Sequence, residues 1–186
     1  MIIKKGKIKG IFEINLEPHK DYRGFFMRTY DEKIFGNHRL CKSWVQESHS
    51  YSKKKDILRG LHFQFPPYTE TKLIRTATGE IFTVVVDLRK GSPTFGKWES
   101  MIISESNNKM IYIPRGFALG MSTLTDNCTL LYKIDNYYAP ESQGAIKWND
   151  PDIRIIWPVK NPIISERDSK AMSFKEFVEK HGGLKL

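Results

Sequence analysis

Three side chains, far apart along the chain, have the chemical character needed to move a proton on and off carbon. His62 lies in the stretch ILRGLHFQFPPYTETK, between the cationic Arg59 and Lys72. Because histidine titrates near neutral pH, an imidazole placed in this way is suited to proton transfer beside an anionic ligand. Tyr132 in LLYKIDNYY could supply an acid, and Asp168 in SERD could orient the imidazole. These residue types predict a proton-transfer site.

The secondary structure predicted around these residues is mainly β-strand. Apolar residues recur at every second position over Phe12–Leu16, between polar residues, and over Phe82–Leu88, between Thr83, Val85 and Asp87. A period of two is typical of strands. Turn sequences such as Thr78-Gly79 and Asp126-Asn127 separate these strands from others. The further strands are predicted at 44–51, 58–64, 71–78, 98–104, 110–113, 117–124, 128–135 and 144–148. The pattern predicts an all-β, mainly antiparallel sandwich or barrel.

Helices are predicted in only two places. Ser173 and Glu176 form a capping-box pattern, and Gly182-Gly183 would end the helix that follows it. A shorter helical turn is expected near residues 31–36. The sequence contains no internal repeat, low-complexity segment or linker, so we expect a single domain over residues 1–186.

Strand alternation predicts which side chains face the interior. In the strand 58–64, His62 would share a face with Leu58, Gly60 and Gln64, and Arg59 would point the other way with Leu61 and Phe63. Tyr132 would lie on an apolar face, and Lys72 is predicted to point inward, where an ammonium is costly unless it meets an anion. Each candidate also has an ordinary structural alternative. His62 could be a core histidine, Tyr132 a packed tyrosine, and Asp168 an acidic residue in the first turn of a helix.

Composition limits the class of protein and its partners. The 186 residues include 30 Lys+Arg and 21 Asp+Glu, a net charge of +9 that favours acidic partners such as nucleic acid, an anionic membrane or phosphorylated small molecules. The lysine clusters near residues 4–9 and 53–55 are most simply solvated surface. The two cysteines show no disulfide or zinc spacing, and no signal-peptide or membrane-length apolar segment is present. Neither lysine cluster resembles a nucleic-acid motif, so among these partners we favour phosphorylated small molecules and expect a soluble cytoplasmic protein that binds neither nucleic acid nor membrane.

Several motifs together carry a resemblance to a known family. DYRGFF, QESHS, ILRGLHFQFPP, KLIRTATGEIFTVVVDLRKGSPTFGKW, YIPRGFALG, YKIDNYYAPE and IKWNDPDIRIIWP occur in order between about Asp21 and Pro158. In order and spacing they resemble the dTDP-4-dehydrorhamnose 3,5-epimerase family. The resemblance implies a jelly-roll, cupin-like barrel, a homodimer with strand exchange, and no metal or organic cofactor. The sequence HFQ in place of HxH also argues against a cupin-type metal site.

The resemblance implies an isomerase that acts on a nucleoside-diphosphate-linked 4-keto-6-deoxy sugar for surface polysaccharide synthesis. His62 would be the base, Asp168 its partner, Lys72 the group that stabilises the enolate and Tyr132 the acid on the opposite side. Arg23 and Arg59 would bind the diphosphate. The other positions that match nucleotide or sugar contacts are Phe26, Gln46, Ser50 and Tyr138.

Three positions depart from the family pattern. Leu119 stands in GFALG where the family commonly has a histidine, which bears on whether C3 alone or both C3 and C5 are inverted. Ser48 replaces an amide in QESHS. Arg28 replaces a carboxylate near the nucleotide base, and because arginine donates to acceptor edges such as those of guanine, GDP rather than dTDP is a hypothesis, with a heptose as one candidate sugar.

Other functions remain open on the sequence. A 3,4-ketoisomerase of the same fold would move the carbonyl, but such enzymes typically carry a histidine pair where this chain has His62-Phe63-Gln64. A sugar-nucleotide binding protein without turnover would not need His62, Tyr132 and Asp168 together. A nucleic-acid binding module would explain the charge, but predicts exposed aromatic residues interleaved with basic ones.

Overall fold

The computed structural model describes all residues, 1–186, and most of its regular structure is β-strand. The strands are β1 (Ile2–Lys5), β2 (Phe12–Asn15), β3 (His19–Asp21), β4 (Gly24–Phe26), β5 (Gln46–Ser52), β6 (Leu58–Gln64), β7 (Lys72–Thr78), β8 (Glu80–Asp87), β9 (Trp98–Ser104), β10 (Lys109–Ile113), β11 (Phe117–Thr123), β12 (Cys128–Ile134) and β13 (Gln143–Ala145). The α-helices are α1 (Glu32–Asn37), α2 (Glu166–Ser169) and α3 (Phe174–His181).

Two antiparallel sheets form the body of the protein. The large sheet has the strand order β1-β2-β10-β7-β12-β5, and the small sheet has the order β13-β6-β11-β8-β9. The hairpin β3–β4 pairs only with itself. The prediction of an all-β, mainly antiparallel, cupin-like barrel with short C-terminal helices is confirmed. None of the helices has the length and apolar character needed to cross a membrane.

Three apolar clusters hold the layers together. One draws on both sheets, with Ile74 and Leu130 from the large sheet packed with Val85 and Phe117 from the small one. A second lies on the other face of the small sheet, where Phe177 of α3 is fully buried. The third packs α1 against the large sheet, and its members are Ile14, Leu16, Phe35, Leu40, Leu73, Met110 and Tyr112. Both faces of β8 are therefore covered, which explains why its run of Val84 to Asp87 is buried throughout.

The helix signals in the sequence correspond to real helix ends. The Ser173 side chain accepts from the Glu176 N–H, and Glu176 accepts in return from the Ser173 N–H at 2.7 Å. Gly182 then ends α3 at a φ of 63°, a conformation that glycine adopts without steric cost. The predicted turn near 31–36 is α1, whose N-terminal N–H groups donate to Asp31. The sequence did not predict β1, β3 or β4.

A bulge in β6 changes the predicted faces of that strand. Opposite β11, Leu119 pairs with His62 and Met121 pairs with Arg59, so β6 spans three residue steps where β11 spans two. The prediction that Arg59 points away from His62 is therefore wrong, and both side chains line the same cavity. Gly60 permits the bulge: its φ is +116°, and a Cβ there would lie 2.5 Å from the Leu119 carbonyl oxygen.

Candidate active site

A cavity of about 520 Å³ is lined by side chains from both sheets. It brings together eight of the twelve residues that the sequence singled out, and they are Gln46, Ser50, Arg59, His62, Lys72, Leu119, Tyr132 and Tyr138. A ninth, Asp168, hydrogen-bonds to His62. Ser48, noted above as a departure from the family pattern, also lines the cavity. The polar lining residues that the sequence analysis did not propose for the site are Gln64, Glu70, Gln143 and Arg167.

His62 and Asp168 form a close pair at this cavity. The His62 Nε2 atom lies 2.6 Å from Asp168 Oδ1, and the Gly60 N–H donates to the other carboxylate oxygen at 3.4 Å. Asp168 is 3% exposed and occupies the first turn of α2, where the Ser165 hydroxyl accepts its N–H. The structural alternative for Asp168, a place in a first helical turn, and its predicted pairing with His62 are therefore both correct.

Electrostatics keeps Asp168 charged and selects the tautomer of His62. Burial opposes ionisation of Asp168, but its hydrogen bonds and the charge of His62 outweigh burial and hold the pKa of Asp168 below its ordinary value. An ionised carboxylate can only accept, so the hydrogen between the pair resides on Nε2. When the ring is neutral, the other ring nitrogen, Nδ1, carries the lone pair and can act as a base.

Tyr132 and Lys72 enter the cavity from the opposite sheet. Tyr132 is on β12 and Lys72 on β7, and the register pairs Lys72 with Ile134 and Tyr132 with Ile74. The phenol and the ammonium are therefore diagonal neighbours on the inner face of the large sheet, whereas His62 belongs to the small sheet. A ligand between the sheets would meet an imidazole on one side and a phenol on the other.

Lys72 has an anionic partner that the sequence analysis missed. Its Nζ atom lies 2.6 Å from Glu70 Oε1, and the two side chains are 13% and 10% exposed. In TETK the two residues are separated by one position, the spacing that places side chains on the same face of a strand. That spacing could have revealed the pair.

Two guanidinium groups give the cavity further positive charge. Arg59 donates weakly to Ser52 Oγ and to the Tyr51 carbonyl oxygen, both at 3.4 Å, which leaves donors for a ligand. Arg167 lines the cavity from α2, next to Asp168 in sequence. Its place beside a predicted site residue in SERD was the only sequence signal for it. Guanidinium groups suit phosphate oxygens because they donate in pairs.

Gln46 and Tyr138 fix one side of the cavity. The Tyr138 N–H donates to the Gln46 side-chain carbonyl at 2.9 Å, and the Tyr138 hydroxyl donates to Gln143 at the same distance. Ser50 and Ser48 lie on β5 opposite Leu130 and Tyr132. The hydroxyls of this strand are therefore available to a ligand that reaches Tyr132.

Leu119 forms an apolar wall directly beside the imidazole. It is the cross-strand partner of His62 in the β6–β11 ladder. Leu119 packs against the apolar cluster between the sheets, together with Tyr132. The position therefore offers a ligand only van der Waals contact, with no hydrogen-bonding group.

Three of the sequence-predicted residues lie outside this cavity. Arg23, Phe26 and Arg28 are on or just after the β3–β4 hairpin, and Phe26 is 66% exposed. Arg23 donates to the neighbouring Asp21 at 2.7 Å, and Arg28 lies 3.4 Å from Asp31. Within one chain these three side chains do not join His62. No three His, Cys, Asp or Glu side chains converge on a position that could hold a metal ion.

Comparison with known proteins gives a consistent family. Residues 5–176 match the family model described as dTDP-4-dehydrorhamnose 3,5-epimerase. The Shigella flexneri protein of that name is 41% identical over 175 residues, which cover 94% of this chain and 96% of the relative.

Solved structures agree with the sequence match. The Legionella pneumophila 3,5-epimerase RmlC, solved with dTDP-4-keto-L-rhamnose, superposes with a TM-score of 0.92 at 33% identity, covering 100% of this chain and 98% of that one. ChmJ from Streptomyces bikiniensis, a 3'-monoepimerase solved with dTDP-quinovose, gives 0.88 at 30% identity, covering 96% and 90%. The chain belongs to the dTDP-4-dehydrorhamnose 3,5-epimerase family and is an isomerase, an epimerase of a nucleotide-linked sugar.

Proposed function

We propose that the substrate is a nucleoside-diphosphate-linked 4-keto-6-deoxy sugar and that His62, Asp168, Lys72 and Tyr132 carry its epimerisation. The observation that supports this most directly is the opposition across one cavity of the His62–Asp168 pair and Tyr132. Inverting a carbon requires that a proton leave one face and return to the other. A base and an acid on opposite sheets are suited to that task.

The chemistry needs only the ketone of the substrate and these side chains. The 4-keto group acidifies the hydrogens on C3 and C5. Nδ1 of His62 takes one proton, and the resulting imidazolium is stabilised by the ionised Asp168. Lys72 stabilises the negative charge that develops on the ketone oxygen. Tyr132 then donates its proton to the opposite face of the same carbon, and proton exchange with solvent resets both groups.

We assign the binding of the diphosphate and of the nucleotide base to the arginines. Arg59 lies in the cavity wall, whereas Arg23 and Arg28 belong to the hairpin region outside it. We infer that this hairpin completes the site of a second copy in a homodimer with strand exchange. Tyr22 is 97% exposed and Phe25 is 62% exposed, so the hairpin presents apolar surface that a partner would cover.

The dimer proposal predicts loss of both assembly and activity from a change far from the cavity. Replacing Tyr22, Phe25 and Phe26 together by serine should convert a dimer to a monomer, measured by light scattering, and should lower turnover by at least about tenfold through loss of the arginine donors. The matched control replaces the exposed Ile156 by serine. A triple variant that remains dimeric and fully active would disprove the role of the hairpin.

The side chain at position 28 suggests which nucleotide base the protein binds. Relatives include proteins solved with TDP and with dTDP-linked sugars. In this chain, however, Arg28 offers donors where the family pattern has an acceptor, and guanine presents the O6 and N7 acceptors that arginine binds in pairs. We infer that GDP is the preferred nucleotide, which would admit a GDP-linked heptose as well as a hexose.

Heavy water tests the proposed function and the choice of carbon. Incubation with GDP- and dTDP-linked 4-keto-6-deoxy sugars in D₂O should add deuterium to the sugar, counted by mass spectrometry, and faster with GDP. One deuteron would indicate inversion at C3 alone, in keeping with the loss of a polar group at Leu119, and two would indicate C3 and C5. The absence of any deuteron from both substrates would remove the epimerase proposal, and faster uptake with dTDP would remove the GDP assignment.

A further inference from the structure

Glu70 is the only acidic side chain among those that line the cavity. One of its carboxylate oxygens contacts the ammonium of Lys72 at 2.6 Å. Both side chains are nearly buried, with 10% and 13% of their surfaces exposed. The pair is therefore part of the site, although neither the base nor the acid of the proposed reaction contacts Glu70.

A buried amide lies beside Glu70. The Gln64 side-chain nitrogen donates to the Tyr68 carbonyl at 2.8 Å and to the Tyr137 carbonyl at 3.1 Å, and it lies 3.3 Å from the second Glu70 oxygen. The Gln64 carbonyl oxygen accepts the Ala139 N–H at 2.8 Å, and the residue is 3% exposed. The neighbouring Thr71 N–H donates to Asp135 at 2.6 Å. Glu70 therefore has one further, weaker polar contact besides Lys72, and the backbone that follows it is held by Asp135.

The contact between Glu70 and the nearly buried ammonium of Lys72 suggests a function for Glu70. A lysine side chain has four flexible carbons and can place its charge in many positions. A mobile Lys72 ammonium would stabilise an enolate poorly. The Glu70 carboxylate limits this freedom, because its contact with the Lys72 Nζ atom at 2.6 Å restricts where the ammonium can lie.

We propose that Glu70 is a positioning residue that holds the ammonium of Lys72 aimed at the ketone oxygen of the substrate. The inference rests on the proposed role of Lys72. It predicts that Glu70 affects formation of the enolate, through Lys72, and leaves the binding of the nucleotide unchanged. A direct contact between Glu70 and a sugar hydroxyl would instead change the KM.

Substitution E70Q removes the charge and keeps the size. We expect it to lower kcat and the rate of deuterium uptake by about tenfold or more, with KM and the Kd for nucleoside diphosphate within about twofold of the original protein. E70D keeps the charge and should recover part of the rate. The matched control is E13Q, which breaks a carboxylate–lysine pair of 3.0 Å with Lys109 in the same sheet, away from the cavity. E13Q should leave kcat unchanged.

A double-mutant cycle with Lys72 separates positioning from a general structural effect. If Glu70 acts through Lys72, adding E70Q to K72A should change the residual exchange rate by less than about twofold. Unchanged or faster turnover in E70Q, a raised KM with unchanged kcat, or full additivity with K72A would overturn the proposal. If the melting temperature of E70Q is below that of E13Q, the double-mutant cycle with K72A is repeated with E70D in place of E70Q. No exchange by the unmutated protein would instead count against the proposed function.

Discussion

Replacing His62 by alanine should abolish deuterium uptake at every carbon of the sugar. No other histidine lines the cavity, so the variant has no imidazole to take the first proton. The expected loss in kcat is at least about 10³-fold, the upper part of the range for a general base that is also held by a carboxylate. The rate of deuterium uptake is measured by mass spectrometry of the sugar recovered from D₂O.

The control for this variant is H38A. His38 lies at the end of α1, exposed, with its Nδ1 atom 2.9 Å from the Ile34 carbonyl oxygen, so its loss should not affect exchange. Binding of the nucleoside diphosphate should survive in H62A, because the arginines are intact. Exchange at the original rate in a folded H62A protein would show that another group is the base.

Tyr132→Phe should separate proton removal from inversion. The variant keeps the His62–Asp168 pair and Lys72, so the enolate still forms and the proton that leaves is replaced from solvent by way of His62. Without the phenol, no acid stands on the opposite face, and the inverted product should fall by about 10²-fold or more while exchange continues. NMR of the product gives inversion, and mass spectrometry of the same sample gives exchange.

The matched control is Y51F on the neighbouring strand. The Tyr51 hydroxyl donates to Asn127 outside the cavity, and the side chain is 52% exposed. Its loss should alter neither measurement. Equal loss of exchange and inversion in Y132F would assign the phenol to the enolisation step rather than to reprotonation.

Strand alternation predicted the inward direction of two cavity residues because its rule is local, whereas most of the other cavity positions came from the family resemblance. Tyr132 and Lys72 lie where the β12–β7 ladder is regular and the inner face is apolar, so sequence spacing alone placed both side chains inward. The capping box at Ser173 was equally predictable from the sequence, since its two partners are three residues apart. Where geometry depends only on neighbours along the chain, the sequence contained the answer.

The misplaced and missed residues depend on contacts between strands. The orientation of Arg59 follows from the bulge, which exists only as a mismatch between β6 and β11. Gly60 inside the strand was the available clue to it. The spacing of Glu70 and Lys72 indicated a shared face but not that their charges meet, and the contact of Glu70 with the Gln64 amide on β6 depends on the fold. Alternation identifies faces but does not reveal which charges meet.

The partner of the base arrives from the far end of the chain. His62 and Asp168 are separated by 106 positions, and α2, which carries Asp168, has only four residues. The segment before it is held by a single parallel bridge, Ile57 to Ile163. Because His62 is synthesised 106 residues before Asp168, the pair can form only after the segment that carries α2 has emerged and packed against β6. Turnover would thus require that this late-made part of the chain is in place.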